Sequence, residues 1–356
     1  MEELDRNQSR RSFLRKGLAG TFALAAAPLA ASASSLLSSD SSAEGKSSGR
    51  QPIDTGKVAI CSQGDTAIRI YSSKVTTPVK LLVISDTHLW MSDSREDPYR
   101  EYSQRMSKAY NVSKDFQTLR DSNPTDEFKR TMERAVKMKP DAIFHLGDLV
   151  SYPSEAGIEW AKQQLDGTGI PYYFTNGNHD WHYEGMEGSD IDLRREWTEK
   201  RLRPLFRDFN PLLYSVDVKG LKVLMLDDSV YEILPEQLEI FRSEMKKNQP
   251  SLMMSHIPLY APGFPVNWGC GHPEWNWDHD RNWKLERRER WPKEGHKKVT
   301  YDFWNAVQEA HSKHNLLATF AGHVHQQSSS QVGWPQFTVK ANLSGAFYEV
   351  NVLPMP

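Results

Sequence analysis

A layered α/β domain with mixed sheets is the fold class that this sequence predicts. Three observations carry the prediction: short apolar runs of strand length, helical patterns lodged between them, and a tail in which strands follow one another without a helix. In order, the runs are KLLVIS (80–85), DAIFHLG (141–147), IPYYF (170–174), LKVLMLD (221–227), PSLMMS (250–255) and LLATFAG (316–322). Helical patterns fall at 124–138, opened by Pro124 and an acidic first turn, at 154–166, at 190–202, at 235–247, opened by Pro235 and Glu236, and at 301–314. The tail segments QFTVKA and AFYEVNVL alternate like the two arms of a half-buried antiparallel hairpin. A chain of 356 residues with 11 Trp, 13 Tyr and 14 Phe can build one large core or two small ones, and no segment repeats.

Before the first run the chain reads as targeting, not structure. Ser9-Arg10-Arg11-Ser12-Phe13-Leu14-Arg15-Lys16 precedes the modest apolar run GLAGTFALAAAPLAA, which ends in Ala31-Ser32-Ala33. A charged head, a short apolar middle and a small-residue exit predict a secretory signal over 1–33, too short to span a bilayer. The paired arginines before Phe-Leu resemble the bacterial twin-arginine export signal, with Arg15 where that pattern usually has Lys. That resemblance implies a protein that folds and loads its cofactor before the twin-arginine machinery carries it to the periplasm or outside. An ordinary basic export signal is the alternative. No cysteine follows the run, so no lipid anchor is indicated there. Residues 34–54 read as a Ser-rich linker that buries too little to offset its own ordering entropy.

One domain is expected over 55–356, interrupted at about 90–123 and 261–299. The first stretch is polar and rich in Arg, Ser and Tyr; the second carries Trp268, Trp275, Trp277, Trp283 and Trp291 among Gly, Pro and charges. Long irregular segments in a compact domain are usually lids or decorations with a function. A net charge of −2 gives no electrostatic reason to expect nucleic acid or an anionic membrane as partner. Cys61 and Cys270 are too few for a disulfide scaffold; they bridge if close in space, or stand as two unrelated buried thiols.

Polar residues of a particular kind follow five of the six runs. These are Asp86-Thr87-His88, Gly147-Asp148, Gly177-Asn178-His179-Asp180, His256, and Gly322-His323-Val324-His325. In open α/β sheets ligands bind outside the carboxyl ends of strands, so the five groups can converge on one crevice. Asp86/His88 and His323/His325 are each spaced by two, which in extended backbone turns both side chains to one face. The candidate donors are Asp86, His88, Asp148, Asn178, His256, His323 and His325. Imidazoles with carboxylates and an amide suit Zn, Mn or Fe without any thiolate. Seven groups exceed one tetrahedral ion and suit two divalent or mixed-valence ions sharing a carboxylate, spaced about 3.5–4 Å apart. Because most of these donors are neutral, the loaded site stays cationic and draws an anion such as a phosphate.

The ordered set D-x-H, G-D, G-N-H-D, H and G-H-x-H over residues 86–325 resembles the calcineurin-like metallophosphoesterase superfamily. The resemblance implies a four-layer α-β-β-α sandwich of two mixed sheets with a dinuclear metal site at the strand C-terminal ends. It implies one metal on Asp86, His88 and His325, a second on Asn178, His256 and His323, and Asp148 bridging. His179 is implied as the general acid for the leaving group, with Asp180 orienting its ring. The purple acid phosphatase branch has Asp where His88 stands and Tyr where Ser151 stands, so its tyrosinate-iron colour is not expected. The implied activity is hydrolysis of small-molecule phosphate esters through a metal-bridging hydroxide. A cyclic-nucleotide or other phosphodiesterase of the same fold, and a non-catalytic scaffold for phosphate ligands, are the alternatives.

Other polar residues have quieter readings. His145, inside an apolar run, reads as a hydrogen-bonded core histidine. Trp181 and His182 either line the pocket or pack. Asp227 and Asp228 resemble the other strand ends but find the ligand set already full. His272, His279, His296, His311 and His314 read as solvated. Arg95, Arg100 and Arg105 could reach a phosphate or form an ordinary charged face. The Trp-rich segment could stack on a substrate ring, though a small core of its own is the favoured reading.

Overall fold

The structure is a computed structural model that describes residues 58–64, 66–313 and 315–356. The expected signal at 1–33 and linker at 34–54 lie outside the described residues. Two six-stranded sheets make the centre of the fold. The first is built from β1 (Val58–Gln63), β2 (Ala67–Ser72), β3 (Val79–Ile84), β4 (Ala142–His145), β5 (Tyr172–Phe174) and the last strand, β12 (Tyr348–Pro354). Its order is β1-β2-β12-β3-β4-β5, with β3, β4 and β5 parallel. The second contains β6 (Leu213–Val218), β7 (Leu221–Leu226), β8 (Ser251–Ser255), β9 (Leu316–Ala321), β10 (Ser328–Ser330) and β11 (Gln336–Thr338). Its order is β10-β11-β9-β8-β7-β6, with β7, β8, β9 and β11 parallel.

Strands buried on both faces read as unbroken apolar runs, which is why these central strands were visible. All six residues of β7 and of β9 are buried. Helices cover the outer faces. On the first sheet α1 (Pro124–Met138) turns Phe128, Met132 and Ala135 inward, and Phe128 meets the His145 ring of β4. Asn123 caps it, accepting from the Asp126 amide, and Pro124 at its first position needs no hydrogen-bond partner. Beside it lies α2 (Glu155–Gly167), capped by Ser154. Against the second sheet pack α4 (Pro235–Met245) and α5 (Lys298–Lys313), which meet through Phe241 and Phe303. Between the sheets, the Tyr214 hydroxyl of β6 both accepts from and donates to the Phe174 backbone of β5. The order is thus helix, sheet, sheet, helix. Among the described residues no helix is long and apolar enough to cross a membrane.

One expectation needs correction. The tail is not a hairpin: β11 pairs with β9 and β10 in the second sheet, whereas β12 lies between β2 and β3 in the first. Alternation sets which side chains are half-buried and says nothing about the partner strand. The helix expected over 190–202 is there in two geometries: α3 spans Asp190–Trp197 and a π-helical stretch, Thr198–Leu202, continues it. The strands β1, β2, β6 and β10 carried too little apolar contrast to be seen, and β1 leaves Val58 39% exposed. Cys270 is buried and Cys61 exposed, both as free thiols.

Candidate metal centre

All seven candidate donors stand just beyond the C-terminal ends of β3, β4, β5, β8 and β9, six on loops and Asn178 at the start of a single helical turn, Asn178–Trp181. The two-residue spacing works differently from expectation. Asp86 (φ 56°), His88 (φ 53°), His323 (φ 68°) and His325 (φ 54°) are left-handed, as is Asp148 (φ 52°). None is extended, so the pairs converge through tight turns and not through strand alternation. Such conformations cost about 1–3 kcal/mol each and persist only where the surroundings over-determine them. Here neighbouring loops do so. Asp86 N–H donates to Gly147 O (3.0 Å), His88 N–H to Asp148 O (2.9 Å), Leu343 N–H to Asp86 O (2.9 Å) and Gly322 N–H to His256 O (2.8 Å). The loops approach so closely that a Cβ at Gly177 would collide with the Asp148 carboxylate.

The donors fall into two groups that share one residue. Asp86, His88, Asp148 and His325 bring one donor atom each within 4.8 Å of one another, and so do Asp148, His256 and His323. Asn178 joins the second group, its Oδ1 lying 3.3 Å from His256 Nε2. Asp148 Oδ1 accepts from the His179 backbone N–H at 2.9 Å. That leaves Oδ2, which lies 3.6 Å from His88 Nε2 and 3.3 Å from His256 Nε2. His88 Nε2 and His325 Nε2 are 2.9 Å apart. His256 Nδ1–H donates to Leu146 O at 2.7 Å, which turns Nε2 toward the group.

Electrostatics tests whether this set suits a cation. Burial opposes a charged His256, yet the Asp148 and Asp86 carboxylates outweigh it and raise its pKa to about 10. Burial also opposes ionisation of Asp148, but the surrounding rings, His256 foremost, hold its pKa well below the usual carboxylate range. The cluster therefore stabilises positive charge at its centre, as a cation site must. Burial, reinforced by His256, lowers His323 to about 3, so that ring is a neutral donor. The residues fit a pair of cations.

His179 lines the same cavity of about 270 Å³, with Tyr110, Asn267, Trp268, Asn282 and Glu286. A larger hollow of about 330 Å³ beside α3 holds none of the donors. Asp180 does not orient the His179 ring. Its carboxylate accepts from the backbone N–H groups of Asp148 (2.8 Å), Val150 (3.1 Å) and Gly177 (2.7 Å), tying two loops together. The ring is held instead by Ser151 O, which accepts from Nδ1 at 3.1 Å. Ser151 Oγ donates to His88 O, and the Tyr152 hydroxyl to Trp90 O, so neither side chain reaches the donors.

The remaining candidates divide. His145 is buried and bonded to Thr87 Oγ1 at 2.9 Å. Trp181 is buried packing, stacked on Trp291 and donating to Ser229 Oγ; His182 is buried beside it. Asp228 accepts from the His256 and Ile257 amides, and Asp227 joins Arg194 and Asn176. His279 is exposed, but His272 and His296 are buried, His296 stacked on Trp275, because the Trp-rich segment has a core of its own. His311 is half-buried and His314 lies outside the described residues. Arg95 pairs with Asp93 and Glu159, Arg100 with Asp97, and Arg105 with Glu184, so their charges are spent on carboxylates. Two residues at the centre carried no sequence signal: Tyr110, stacked on His88 at 4.1 Å, and Glu286, 3.3 Å from Asn178 Nδ2.

The profile of the calcineurin-like phosphoesterase family matches residues 79–327. No curated protein sequence matches the chain. Among solved structures, a dimetal phosphatase from Danio rerio superimposes with a TM-score of 0.44 at 11% identity, over 76% of this chain and 91% of that one. A purple acid phosphatase from yellow lupin seeds gives 0.46 at 13%, over 79% of this chain and 48% of that one. A phosphopantetheinyl hydrolase from Mycobacterium tuberculosis gives 0.37 at 13%, over 81% and 96%.

Proposed function

Because the chain belongs to the calcineurin-like phosphoesterase family, and so is a metal-dependent phosphoester hydrolase, we propose that it cleaves small-molecule phosphate esters at a two-cation centre after export from the cytoplasm. Asp86, His88 and His325 would hold one cation, and Asn178, His256 and His323 the other. The observation that carries this reading is Asp148: one carboxylate oxygen is tied to the His179 amide, and the other lies between the two groups. When bound, a pair of Zn, Mn or Fe ions supplies an activated water and a positive field for the phosphoryl oxygens. His179 has Nδ1 committed to Ser151 O, so Nε2 is the atom free to pass a proton to the departing alkoxide, which requires the doubly protonated ring. Asp180 supports that step at one remove, fixing the loop that carries His179. Support for export is the Arg10-Arg11 segment and the apolar run behind it.

The test is a panel of mono- and bis-p-nitrophenyl phosphate and alkyl phosphates, run with metal analysis on the mature protein. Asp148→Asn should lose bound metal together with activity; full occupancy in that variant overturns the shared-carboxylate role. His179→Ala should keep its metal and hydrolyse alkyl phosphates about 10²–10⁴-fold more slowly. p-Nitrophenyl phosphate should suffer far less, and an equal loss for both leaving groups removes the acid role. Faster cleavage of the bis ester would move the assignment to a phosphodiesterase. Replacing Arg10 and Arg11 by Lys should leave the protein in the cytoplasmic fraction of a bacterial host with twin-arginine export.

A further inference from the structure

Glu286 and Arg288 belong to no motif, yet they complete a chain of contacts between two donors of the second group. Asn178 Nδ2 donates to Glu286 Oε2 at 3.3 Å. The same oxygen accepts from Arg288 Nε at 2.9 Å. Arg288 Nη2 donates to the Tyr231 hydroxyl at 3.0 Å, and that hydroxyl lies 2.9 Å from His323 Nε2. Arg288 and Tyr231 are wholly buried and Glu286 nearly so. The bridge is anchored on its far side: Arg288 Nη1 donates to Asp280, which also accepts from Trp275 Nε1, and the guanidinium lies against the Tyr231 and Trp291 rings.

These contacts choose donor atoms. An amide held through its nitrogen presents Oδ1, and a ring held through Nε2 presents Nδ1. Among the described residues the first group has no comparable chain of side-chain contacts behind its rings. Among the described residues His88 Nδ1 has no hydrogen-bond partner, and the His325 side chain is 29% exposed, its Nε2 meeting two other members of the group, His88 Nε2 at 2.9 Å and Asp86 Oδ1 at 3.4 Å.

We propose that the Glu286–Arg288–Tyr231 bridge is a positioning element for the cation on Asn178, His256 and His323, so that the chain holds its two cations unequally, the second more tightly. The inference rests on the two-cation reading of the centre. Outer partners of metal ligands typically change affinity about 10–100-fold. Arg288 and Tyr231 lie outside the cavity lining, and Glu286 reaches it beside Asn178.

The experiment is stepwise chelation of the full mature chain loaded with Mn(II), counting metal per chain as chelator strength rises. The wild type should lose its cations in two steps. Tyr231→Phe, which keeps the stacking on Trp275 and removes one hydroxyl, should move only the second step, by about 10–100-fold. Glu286→Gln should do likewise. In a His325→Ala background one tight cation should remain, and adding Tyr231→Phe should weaken it. The proposal fails if the second step stays put in both variants. It fails equally if both steps move together with a lowered melting temperature, since that is a purely structural role. A wild type that binds no metal overturns the centre itself; a wild type binding two, with unmoved variants, overturns only the bridge.

Discussion

Residues 90–123 and 261–299 both interrupt the regular alternation of strands and helices, yet they reach the centre by different means. The later segment has a small core. Trp275, Trp283 and Trp291 are each at most 5% exposed, and Trp291 stacks on Trp181, next to the loop that carries His179. That packing holds a buried Glu286 and Arg288 in place. The earlier segment leaves Val112 and Leu119 exposed and spends Arg95, Arg100 and Arg105 on carboxylates, most of them at the surface. Tyr110 is what it contributes to the cavity. Burial of aromatic rings is worth several kcal/mol, whereas an exposed ion pair is worth about 0–1 kcal/mol. The difference teaches that a segment with its own aromatic core can hold buried charges against the site, whereas one without it reaches the site through a single ring, Tyr110 on His88.

The comparison can be broken at three points. The largest effect expected is from Trp283→Ala, which should destabilise the fold by about 3–5 kcal/mol in urea unfolding. A smaller effect is expected from acid. Burial opposes the Glu286 charge, but the Arg288 guanidinium beside it prevails and draws the pKa to about 2, from 4.5 in the unfolded chain. The unfolded state then binds the extra proton between those values. The stabilisation is complete above about pH 4.5 and is lost as pH falls toward 2. With chelator present, wild-type stability should drop more steeply than that of Glu286→Gln between about pH 5 and 3; parallel curves would mean that the pair contributes nothing. The smallest effect should come from Arg95→Ala, within about 1 kcal/mol. If Trp283→Ala costs no more than Arg95→Ala, the two segments do not differ in the way described.

Much of the site was legible in the sequence because its chemistry restricts residue type. His, Asp and Asn are poor choices for the exit of a buried strand, so their recurrence after KLLVIS, AIFHL, YYF, LMMS and ATFA stands out against the apolar background. The left-handed backbone at Asp86, His88, Asp148, His323 and His325 was not legible, since spacing by two suits an extended chain equally well. The resemblance implies that Asp180 orients the His179 ring, but in a helical turn neighbouring side chains diverge, and its oxygens find backbone amides instead. Glu286 lay unseen among Lys284, Arg287, Arg288 and Glu289, where one more charge has no contrast.

The sequence alone determined the layered α/β class, the central strands and which residue types gather at their carboxyl ends, because burial and donor chemistry act on each residue where it stands. Only the tertiary structure decided which strands pair in the tail, which carboxylate oxygen faces both groups, and what holds Asn178 and His323. Those outcomes depend on contacts between segments far apart in the chain, and no local pattern encodes a partner that distant.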